Sequence, residues 1–348
     1  MPVFLVASNY FYLFFWTVYS VLLMQEDPYI WMENLEDPRV KDFISRENAR
    51  FIKFVGELPE KLRPKVRKYY YMPSIIHAQV ANDYYFILRQ KGSIYALDKF
   101  TRDGKKDRII DSKSLGKNVL ITYFVVDTTH NVLAYYYSIA GSDLETVKII
   151  DLRNGETIDK LFGSIGNITF LGRDKYYYSR LFRTEHTPDG VAPPAMRIFL
   201  RESGEEELVF GRGLPTNHFI SMDKSVDRKN MIIGIYFGWT RGMIFGGNLK
   251  DPASWQLIYD AKDNYIKPIG CYNGSYYLIP YDGEGYGRII RVGKDGVETI
   301  VSGWKYPLRH AGMTSRNIYA EYLVDASSIL KIFDLEGSLV DVYKPENP

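Results

Sequence analysis

The sequence has a single cysteine, Cys271, in 348 residues. No internal disulfide and no thiolate metal cluster can form, so the fold must rest on packing, which suits a reducing, cytoplasmic setting. An excess of either charge is missing too: 44 Lys and Arg face 42 Asp and Glu, a net +2. That balance is too even to draw the chain onto phosphate backbones by bulk electrostatics, and nucleic acid is not expected as a partner. Histidines number only five, His77, His130, His186, His218 and His310, with no two at the i, i+4 spacing of a helical zinc site. Neither a metal nor a cofactor is expected. A Gly-x-Ser-x-Gly nucleophile elbow is also lacking. The nearest strings, Gly163-Ser164-Ile165-Gly166 and Asn273-Gly274-Ser275-Tyr276, read as hairpin glycines. The glycines at 283, 285 and 287 read as a loop, because strand and not helix follows.

What is abundant points to sheet. The 29 Tyr, 19 Phe and 28 Gly favour pleated surfaces and the turns between them. With 46% hydrophobic residues there is enough apolar surface to offset chain entropy, which excludes disorder. Residues 2–23 carry no charged side chain, and the stretch 4–23 is long enough to cross a bilayer as a helix. No Lys or Arg precedes it and no small-residue cleavage pattern follows. The expectation is an upstream extension of a chain that starts at Met24, with a membrane anchor as the alternative.

Asp37-Pro38 pairs an N-cap residue with proline at the first helical position, so a helix should start there. Val40, Phe43, Ile44, Phe51, Phe54 and Val55 recur at helical spacing and give it one apolar face. Pro59 is expected to close this segment, and Lys61, Arg63, Lys65, Arg67 and Lys68 to form a solvated linker, with an acidic-partner site as the lesser reading. Beyond residue 70 the helical period gives way to a repeat. Aromatic or β-branched runs at 84–88, 132–138, 176–180, 231–237, 276–280 and 318–323 recur every 45 to 55 residues or so, the period of a four-stranded propeller blade. Second runs follow at 93–98, 146–151, 288–292 and 329–334, then tight turns ending in Gly104, Gly155, Gly296 and Gly337. The tyrosine triplets 69–71, 135–137 and 176–178 read as core and inter-blade packing. The expected fold is all-β: an amphipathic helix, then a β-propeller of which about six blades are visible. The expected segments are 1–23 (hydrophobic extension), 24–68 (helical segment and linker) and 69–348 (incomplete propeller).

Several strings are specific. Asp27-Pro28-Tyr29-Ile30-Trp31-Met32-Glu33, Asp37-Pro38 and Glu47-Asn48-Ala49 resemble the opening of the prolyl oligopeptidase family of serine peptidases. So do Ser138 to Asp143 with Thr146-Val147-Lys148, Tyr177-Tyr178-Ser179-Arg180, and the run Tyr322 to Ser328. The likeness extends from about Asp27 to about Leu339 and implies the N-terminal part of that family. There, a seven-bladed propeller caps an α/β-hydrolase domain that cleaves short peptides after proline, and limits entry to small peptides. With no hydrolase domain among these residues, the expectation is a chain with no catalytic residue of its own, inactive alone and completed by a separate hydrolase polypeptide. The alternative is a standalone propeller that binds proteins or peptides. The resemblance implies Tyr177 as a substrate-facing candidate, with inter-blade packing as the alternative. It also implies that Tyr29, Trp31, Phe43, Phe51 and Phe54 face the hydrolase domain and would form an exposed apolar patch without it. A missing blade would likewise leave uncovered sheet faces at the first and last units. Short proline-containing peptides are the expected ligands, and a membrane is expected only if residues 1–23 form a real anchor.

Overall fold

The computed structural model describes residues 27–283 and 286–346. The apolar run 2–23 lies outside the described residues. The chain divides into two units between Met72 and Pro73.

The first unit is helical. Helix α1, Pro38–Val55, begins where the sequence places it: Asp37 Oδ1 accepts the Arg39 N–H at 2.8 Å, with Pro38 in the first turn. Gly56, at φ +54°, ends it and returns its N–H to the Ile52 carbonyl. Helix α2, Leu58–Tyr70, occupies the stretch expected to be a linker. Pro59 does not close the segment. It sits in the first turn of α2, where a missing N–H costs no hydrogen bond. The Lys61–Glu57 and Arg63–Glu60 pairs, one turn apart, lie along its surface. Helix therefore continues past residue 68, and the division between units falls later than the sequence suggests.

The second unit is built from antiparallel four-stranded meanders, each with its strands in sequential order. Six such blades are present among the described residues: 74–111, 119–163, 164–210, 218–260, 265–301 and 308–343. Blades 2 and 3 share one strand. In Thr157–Phe170, the first half pairs with Glu145–Asp151 and the second with Lys175–Phe182. Gly163, at φ +134°, lies where the strand leaves one sheet for the next, a backbone conformation that side chains rarely adopt. Thus Gly163-Ser164-Ile165-Gly166 lies within a strand and is not a hairpin, whereas Asn273-Gly274 is one, with φ +50° and +75°.

All six runs singled out by period are second strands of their blades, and the reason is burial on both faces. Along Val132–Ile139, Val132, Ala134 and Tyr136 pack toward blade 3, while Leu133 and Tyr135 pack toward blade 1. In Lys175–Phe182, Tyr176 and Tyr178 face blade 2 and Tyr177 faces blade 4. The core is thus a series of layers between successive sheets. The turns at Gly104, Gly155, Gly296 and Gly337 all have the positive φ expected of them. Two of the three tyrosine triplets pack as expected. The third does not: Tyr69, Tyr70 and Tyr71 are 69%, 51% and 51% exposed at the end of α2. At the two ends of the array apolar side chains stay uncovered, Val80 and Tyr85 on blade 1 and Tyr319 and Tyr343 on blade 6.

Candidate functional site

Two strings noticed separately in the sequence meet in one groove. Ser138, Gly141, Ser142 and Asp143 come from the hairpin between the second and third strands of blade 2, and Ser164, Ile165 and Gly166 from the start of blade 3. The hairpin is tight because Ala140 and Gly141 both take positive φ, and the Ala140 N–H donates to the Asn118 carbonyl at 2.8 Å. Together with Leu120, Thr122, Glu145, Leu181, Arg183 and Met196 these residues enclose about 460 Å³.

The rim is polar and internally bonded. Arg183 Nε donates to Ser164 Oγ at 2.7 Å and its Nη1 lies 3.2 Å from Asp143 Oδ2. Ser164 Oγ donates to the Asp143 carbonyl at 3.3 Å. Thr122 Oγ1 donates to Glu145 Oε1 at 2.5 Å. The floor is apolar, from Leu120, Ile165, Leu181 and Met196. Tyr136 donates to the Gly166 carbonyl at 2.7 Å and so fixes the floor from below. Gly166 has a packing reason to be glycine, since a Cβ there would strike Ser179 Oγ, a buried hydroxyl without a hydrogen-bond partner. An apolar floor with one guanidinium and two carboxylates at the rim suits an extended peptide, whose amides and carbonyls would meet donors and acceptors along the edge. It does not suit covalent catalysis. No histidine lines the groove, and Ser164 is engaged by a guanidinium rather than a base.

The sequence-derived candidates lie elsewhere. Tyr177 is 1% exposed and packs edge-on against Trp255, ring centres 5.1 Å apart, in the layer between blades 3 and 4. Burial, aided by the negative charge of Asp251, pushes its hydroxyl up to about 12. That is the position of the packing alternative, and no described cavity has Tyr177 in its wall. In the helical unit, Trp31 and Phe43 meet edge-on at 6.4 Å beneath Arg39 and Arg46, beside a shallow recess of about 560 Å³ that Tyr29 also lines. Tyr29, Phe51 and Phe54 are 64%, 60% and 89% exposed, and along α1 only Val40 is buried.

The histidines are dispersed. His77 packs on Tyr123 and Phe124, and burial lowers its pKa. His130 lies 3.5 Å from Asp127, His218 bonds the Thr216 carbonyl at 3.1 Å, and His186 and His310 are exposed. Among the described residues no three His, Cys, Asp or Glu side chains come together as a metal site, and no helix is long and apolar enough to cross a membrane. Burial drives the Cys271 thiol up to about 12, which keeps it from acting as a thiolate.

Residues 24–344 match the family model for the N-terminal β-propeller domain of prolyl oligopeptidase. The chain belongs to the prolyl oligopeptidase family. Solved structures agree in fold. A structure from a study of two prolyl endopeptidases, on inter-domain dynamics in catalysis and specificity, superposes with a TM-score of 0.79 at 19% identity, covering 92% of this chain and 50% of that one. Prolyl oligopeptidase B from Galerina marginata, bound to a 35mer hydrolysis and macrocyclization substrate, gives 0.75 at 13% identity with the same coverage. The apo form of that protein gives 0.66 at 13% identity, covering 92% and 51%. Comparison with curated proteins finds no match. This prolyl oligopeptidase propeller therefore spans about half the length of the solved structures it matches. Its groove residues were only partly legible: the Ser138–Asp143 string marked one wall, whereas Arg183, Glu145 and Thr122 carried no signal of their own.

Proposed function

We propose that this propeller is the substrate-gating part of a serine endopeptidase that cleaves short peptides after proline, and that an α/β-hydrolase domain outside the described residues supplies the catalytic residues. The observation that carries this reading is the helical unit. An 18-residue amphipathic helix that buries only Val40 leaves an apolar face free for a hydrolase domain to cover, since burial of such a face is what stabilises helices of this length. Tyr29, Trp31, Phe43, Phe51 and Phe54 would form that contact. The groove between blades 2 and 3 would receive the peptide, and the uncovered faces of blades 1 and 6 would be closed by a further sheet. A cytoplasmic location belongs to the same proposal.

The test is association. The propeller is mixed with a purified α/β-hydrolase domain of a prolyl oligopeptidase and followed by sedimentation velocity. A stable complex is expected, lost in the Phe51→Ser, Phe54→Ser double variant, whose own stability should change by no more than about 0.5 kcal/mol because both rings are exposed. No complex, or one indifferent to those substitutions, overturns the reading.

A further inference from the structure

One ion-pair cluster joins blades that are not neighbours. Asp127 ends the first strand of blade 2, Val119–Asp127, and Lys224 ends the first strand of blade 4, His218–Lys224. Lys224 Nζ lies 2.6 Å from Asp127 Oδ2, and Arg228 Nη1 lies 3.2 Å from Oδ1 while also donating to Thr129 Oγ1. The register shows how they reach one another. Asp127 pairs with Val132, which packs in the layer shared with blade 3, and Lys224 pairs with Met231, in the layer between blades 3 and 4. Residues opposed in an antiparallel ladder share a face. The two side chains thus leave their sheets toward blade 3 from opposite sides and meet over it.

The cluster is built to persist. The Asp127 carboxylate is fully buried. Burial opposes its charge, but the hydrogen bond and charge of Lys224, with the charges of Arg228 and His130, outweigh it and bring the group down to about 2. The Thr129 N–H adds a further bond at 3.0 Å. The ties at the outer junctions reach only from one blade to the next. Between blades 1 and 2 the Gln79 amide bonds the Val126 N–H and carbonyl, both at 3.0 Å. Between blades 5 and 6 Lys267 and Tyr281 donate to the Arg309 and Leu308 carbonyls. Arg291 Nη1 also pairs with Glu336 Oε1 at 2.7 Å across that junction, so charge is present there too, but each of these ties joins adjacent blades.

We infer that Asp127, Lys224 and Arg228 form a clasp that locks blades 2, 3 and 4 into one rigid sector, so that relative movement of the blades takes place outside it. The clasp lies at the far end of the first strand from the groove: Leu120 and Asp127 are seven residues apart, roughly 23 Å at the rise of a strand. Both walls of the groove fall inside the sector, and their spacing is set before any ligand arrives. This inference does not depend on what the groove binds.

Hydrogen exchange of the full chain, read by mass spectrometry, tests it in the wild type, Asp127→Asn, Lys224→Met and the double variant. Each single variant is expected to exchange at least tenfold faster across 164–170, the blade 3 strand that supplies neither partner, and across 218–224. Blades 5 and 6 should stay within twofold of wild type. The double variant should exchange no faster than the faster single one, because both substitutions break the same link. Faster exchange confined to 127–130 and 224–230, acceleration spread evenly over every blade, or effects of the two substitutions that multiply would each overturn the clasp. Should Asp127→Asn fail to fold, Lys224→Met reads the same segments.

Discussion

Replacing Tyr177 by alanine separates two roles for that residue. In the structure its ring is 1% exposed and sits in the layer formed by Met196, Ile198, Met231, Ile233 and Trp255. Truncation at such a site removes the transfer free energy of the ring and leaves a cavity that a sheet-on-sheet layer cannot easily collapse. For large aromatic side chains the two effects together cost about 3–5 kcal/mol. With a urea dependence of about 3 kcal/mol per molar, the midpoint of unfolding should fall by about 1–1.7 M. Tyr177→Phe keeps the ring against Trp255 and should cost less than about 1 kcal/mol. Far-UV circular dichroism or intrinsic fluorescence in urea reads both. A midpoint for Tyr177→Ala within about 0.2 M of wild type would refute the packing argument and restore a surface role.

Two further outcomes follow from buried charge. Asp127 has a folded pKa of about 2 against an ordinary 3.8. A carboxyl whose pKa is depressed by folding stabilises above its unfolded value, so the contribution, about 2 kcal/mol, should be constant above pH 5 and disappear as pH falls from 4 to 2. Urea unfolding of wild type and Asp127→Asn at a series of pH values should show the stability gap closing over that window; a gap independent of pH would contradict it. Arg197 is fully buried and donates to both oxygens of Asp189, at 2.9 and 3.0 Å, and to the Met196 and Leu214 carbonyls. Asp189→Ala should therefore cost about 3–5 kcal/mol by stranding a buried cation. Adding Arg197→Met should recover a large part of that loss in thermal unfolding, and a further loss on adding it would refute the pairing.

Legibility in the sequence tracked burial. Second strands such as Met231–Phe237 stood out because sheets cover both of their faces, giving unbroken apolar runs. First and fourth strands carry mixed patterns. Ser74–Ala81 is exposed or half-buried throughout, and Leu339–Tyr343 is exposed at every position. Period alone could not find them. Helix α2 was missed for another reason: its Pro59 read as the close of a segment and its five cations as a solvated stretch, yet Pro59 falls in the first turn and the charges lie on an exposed surface. Tyr69 to Tyr71 belong to the same error, an aromatic run taken for core that lies at the end of that helix. Of the groove, the string Ser138 to Asp143 was marked only by its family resemblance, and its hairpin takes positive φ at Ala140 and Gly141. Arg183 left none, because its bond to Ser164 spans 19 residues that only the fold brings together.

The central claim is that this propeller is proposed to work with an α/β-hydrolase domain. The most direct measurement is hydrolysis of a fluorogenic peptide cleaved after proline, by the propeller alone, by a purified α/β-hydrolase domain of a prolyl oligopeptidase, and by the two mixed. The account predicts no turnover from the propeller alone and a restored, saturable rate on mixing that falls when the peptide is lengthened. Turnover by the purified propeller itself, or no gain on mixing, would contradict it.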